Sequence, residues 1–100
     1  MIVGVLSLVY MTTRAPSELA SELMLSGYAI WEALAVSEVL YLCEQHDIDA
    51  VVIAPDVKDA EIVEVQTRRT TLTLKRGATA KDVVWQLAQL FPSASQPGVQ

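Results

Sequence analysis

A second cysteine is missing from this chain, since Cys43 stands alone, and no disulfide can close within one molecule. An excess of basic residues is missing too. Twelve Asp plus Glu stand against 7 Lys plus Arg, for a formal charge of -5, which leaves no cationic stripe to follow a phosphate backbone and excludes nucleic acid as an expected partner. The apolar opening MIVGVLSLVY runs for about ten residues, roughly half of what a membrane span needs. It also has neither a basic n-region nor a small-residue cleavage site. These absences together predict a reduced, cytoplasmic, soluble protein with no membrane association. Neither GxGxxG nor GxxxxGK[ST] occurs, so the glycine-rich cradles of dinucleotide and nucleoside-triphosphate sites are absent. No Asp or Glu precedes Glu18, and no second Cys or His lies at metal-ligand spacing from Cys43.

What is present is apolar: 52% of 100 residues are hydrophobic, enough for one domain with a real core. Short segments apolar on both faces alternate with amphipathic segments of helical length, the pattern of a parallel sheet covered on both sides. The first strand is expected over Ile2 to Val9. A helix should follow Pro16 and run to about Ser26, with Leu19, Ala20 and Leu23 inward, Leu25 outward, and Gly27 as its stop. Tyr28 to Glu32 reads as the second strand. Val36 to Gln45 reads as the second helix, with Val36, Val39, Leu40 and Cys43 on its inner side. Asp49 to Ala54 is a nearly pure core strand.

The stretch from Lys58 to Arg69 admits two readings. It is either a short helix opening at a capping Asp59, with Ile62, Val65 and Arg69 on one face, or one arm of a hairpin with Thr70 to Leu74; the helix reading is the stronger. Thr70 to Leu74 is the last strand. Thr79 to Phe91 is the last helix, with Val83, Val84, Leu87, Leu90 and Phe91 inward. Residues 1–91 are thus expected to form a single α/β domain, and the small, polar tail 92–100 to be disordered.

The segment YAIWEALAVSEVLYLCEQHDIDAVVIA, Tyr28 to Ala54, resembles without a gap the second strand, second helix and third strand of response-regulator receiver domains. The Gly27-Tyr28 junction and LKRGATAKDVVWQLAQL are similar to further parts of that family. The resemblance implies a CheY-like, flavodoxin-like open parallel sheet in strand order 2-1-3-4, with helices on both faces and one β-α unit fewer than the family has. It further implies that Ala54 occupies the position of the phosphoacceptor aspartate and Lys75 that of the lysine contacting the phosphoryl group, while Arg76 replaces the family's proline. Receiver chemistry also needs two acids after the first strand, to hold a magnesium ion that neutralises the transferred group. Those positions fall near Tyr10 to Thr12, which carry none, and Asp56 follows the acceptor position too late to serve. The resemblance therefore implies a phosphorylation-incompetent receiver-like domain in signal transduction, not an enzyme, with no metal and no cofactor.

Two candidate surfaces remain. On a helical wheel Trp85 lies about 160° from the centre of the inner stripe, at about 100° per residue, and so faces outward beside Lys81 and Ala88. Since Trp anchors are enriched at binding hot spots, this face is the expected interface with a second copy of the chain or with another signalling protein. The alternative is a small-anion or nucleotide site at the carboxyl ends of the strands, built from Thr12, Thr13, Arg14, Lys75 and Arg76 near the start of the first helix. His46 is expected to cap the second helix or to lie on the surface, Cys43 to be a core thiol, and Trp31 to be core on an edge strand.

Overall fold

A computed structural model describes residues 6–14 and 17–91. Four strands and four helices alternate along the chain: β1 (Ser7–Met11), α1 (Glu18–Leu25), β2 (Ala29–Ala33), α2 (Val36–Gln45), β3 (Ala50–Ile53), α3 (Asp59–Gln66), β4 (Thr71–Thr73) and α4 (Ala80–Leu90). All strand pairs are parallel, and the order is β2-β1-β3-β4. The domain is a flavodoxin-like open α/β sheet, as expected from the sequence. The chain steps from β1 outward to β2, then back across β1 to β3 and on to β4. With right-handed crossovers that reversal sends α1 to one face and α2 and α3 to the other. The final helix, α4, packs beside α1, while α2 packs against α3.

The central strands explain why the sheet holds. Leu8, Val9, Val51, Val52 and Ile53 are all fully buried, because helices cover both faces of the central strands. Leu23 of α1, Val39 of α2, Val65 of α3, and Val83 and Leu87 of α4 close the two layers over them. Each buried side chain of this size contributes roughly 1.5–3 kcal/mol of transfer free energy. The edge strands are more open, and β2 has only Ala33 buried.

Several boundaries differ from expectation. β1 ends two residues later than the expected Val9, pairing Tyr10 with Glu32 and Val52, and Met11 with Ala33 and Ile53. A strand that is apolar throughout carries no alternation to mark its end, and Ile2 to Val5 lie outside the described residues. Of the Lys58–Arg69 segment, Asp59–Gln66 is helical; Lys58 takes the N-cap position, Asp59 is the first helical residue, and Arg69, expected on the helix face, lies beyond its end. A carboxylate inside the first turn still meets the positive end of the helix dipole. Leu90 was expected inward and is 45% exposed, at the last residue of α4, where only Val83 and Leu87 of the helix are buried. The tail after Phe91 lies outside the described residues.

Glycine is required at one helix end. At Gly27, φ is +103°, and the chain leaves α1 through a Schellman motif. The Gly27 amide donates to the Met24 carbonyl at 3.0 Å, and the Tyr28 amide donates to Leu23 at 3.2 Å. α4 opens with a capping box. The Asp82 amide donates to Thr79 Oγ1, while the Thr79 amide donates to the Asp82 carboxylate at 2.9 Å.

Candidate functional site

The carboxyl ends of the strands form the first candidate region. Thr12, immediately after β1, is buried, and its hydroxyl accepts from the Arg14 amide at 3.2 Å. The Asp56 carboxylate, from the loop after β3, gathers the donors of this corner. The Thr13 hydroxyl donates to Asp56 Oδ2, the Thr13 amide does so at 3.4 Å, and the Thr12 hydroxyl lies 3.5 Å from the same oxygen. One internal carboxylate therefore already meets the donors that an external anion would use. Glu32, at the end of β2, similarly accepts from the Ser17 amide at 2.7 Å and holds the N-cap of α1.

Ala54 follows β3 with its amide donating to the Met11 carbonyl at 2.8 Å, and its side chain is buried. Tyr10, Met11 and Thr12 at the end of β1 carry no carboxylate, and the nearby acids Asp56 and Glu32 are engaged by Thr12 and Thr13 and by the Ser17 amide. Among the described residues no group of three His, Cys, Asp or Glu side chains is arranged to bind a metal ion. Tyr10 is held above its ordinary 10.0, chiefly by burial and also by the Asp56 and Glu32 charges, against a Ser17 hydrogen bond that lowers it. Its phenol stays protonated at physiological pH.

The five residues of the anion reading are split by the fold. Thr12, Thr13 and Arg14 belong to the β1 end, whereas Lys75 and Arg76 follow β4, on the far side of β3. Lys75 and Arg76 instead line an open cleft of ≈ 520 Å³ with Gly77, Asp82, Trp85 and Gln86. Gly77 has φ +82°, the turn that leads the chain from β4 into α4.

Trp85 is the centre of the second region. It is 66% exposed, while Val83 and Leu87, two residues to either side, are fully buried. On its other flank lies an apolar groove of ≈ 650 Å³ lined by Lys81, Val84, Trp85, Ala88 and, across from α4, Ser26 at the end of α1. The structure thus brings Lys81, Trp85 and Ala88 onto one surface and adds Lys75 and Arg76, which the sequence reading had assigned to a different site. Met24 and Leu25 at the end of α1 are also exposed.

The remaining singled-out residues are structural. Cys43 is buried in the core, and burial pushes its thiol above its ordinary 9.0, only partly offset by the Arg69 charge. His46 is the C-cap of α2, and its ring stacks on Trp31 with centroids 4.4 Å apart and planes 24° apart. Trp31 is therefore half-buried under a ring that the sequence pattern did not pair with it. No helix among the described residues is long and apolar enough to cross a membrane. No protein-family model, no curated protein and no solved structure matches this chain.

Proposed function

We propose that the chain is a receiver-like domain that does not accept a phosphoryl group and works as a protein-interaction module in signal transduction, with a second copy of itself as partner. The observation that carries this reading is Trp85, exposed at the crest of a helix whose opposite side is fully buried. A Trp two-thirds exposed contributes little to the fold, whereas in a contact it supplies large, rigid, amphipathic area. The groove and the cationic cleft on its two flanks give a partner both apolar surface and orienting charge. The receiver assignment is supported by the sheet order and by the uninterrupted resemblance from Tyr28 to Ala54. Against phosphoryl chemistry stand Ala54 and the absence of carboxylates at the end of β1.

The test is solution mass by light scattering across a concentration series, on the wild type and on Trp85→Glu. The wild type is expected to associate and the variant to remain a folded monomer. Acetyl phosphate should leave the wild-type mass unchanged. A wild type that stays monomeric throughout would remove self-association from the account.

A further inference from the structure

We draw no further inference here: the strongest candidate, the apolar groove beside Trp85 between α4 and Ser26 at the end of α1, lined by Lys81, Val84 and Ala88, carries nothing because nothing in the structure shows what covers it.

Discussion

Cys43, Tyr10 and Tyr28 are acids that packing keeps neutral, each raised above its ordinary value with burial as the largest cause. A raised folded value means that the native state holds the proton more tightly than the unfolded chain does. Their contribution to stability is therefore complete below the unfolded values of 9.0 for the thiol and 10.0 for the phenols, and is lost as pH rises from there through the raised folded values. Thermal melts should show a midpoint level from pH 7 to 8 and falling above about pH 9, with the onset moved upward in Cys43→Ala; a midpoint flat to pH 11 would contradict the assignment. At this scale the sequence was informative where helical period decided the matter, as for Trp85 outward and Cys43 inward. It was silent on Asp56, whose role depends on two threonines more than 40 residues away in the chain. It was equally silent on the stacking of Trp31 with His46, because neither partner carries a local signal for the other.

Element ends are where local chemistry and tertiary packing meet. The stop of α1 was legible because glycine after a helical stripe has a specific use, and Gly27 adopts the left-handed conformation that the Schellman motif needs. An added Cβ at Gly27 meets no atom within 4 Å, so the penalty in Gly27→Ala is purely one of backbone conformation. Urea denaturation should show a loss of about 1–2 kcal/mol, the usual cost of a left-handed residue with a side chain. A variant as stable as wild type would mean that the chain leaves α1 by another route. The start of α3 was less legible, since Lys58 has no side-chain oxygen to announce a cap, and the fourth strand, only three residues long, offered little alternation. Its pairing with β3 is settled by the pattern of the whole sheet rather than by its own residues.

The molecule as a whole combines an apolar sheet, readable from strand and helix spacing, with an outward Trp85 whose cationic neighbours Lys75 and Arg76 are brought beside it by the turn that leads β4 into α4. The strand-end corner, expected from the sheet type to be the place for a ligand, is instead tied together by Asp56. The most direct measurement of the central claim is a dilution series of amide proton and nitrogen chemical shifts on the uniformly labelled protein at low salt. The account predicts concentration-dependent shifts centred on residues 75–88 around Trp85. Shifts that do not depend on concentration, or that appear instead at Thr12, Thr13 and Arg14, would contradict it.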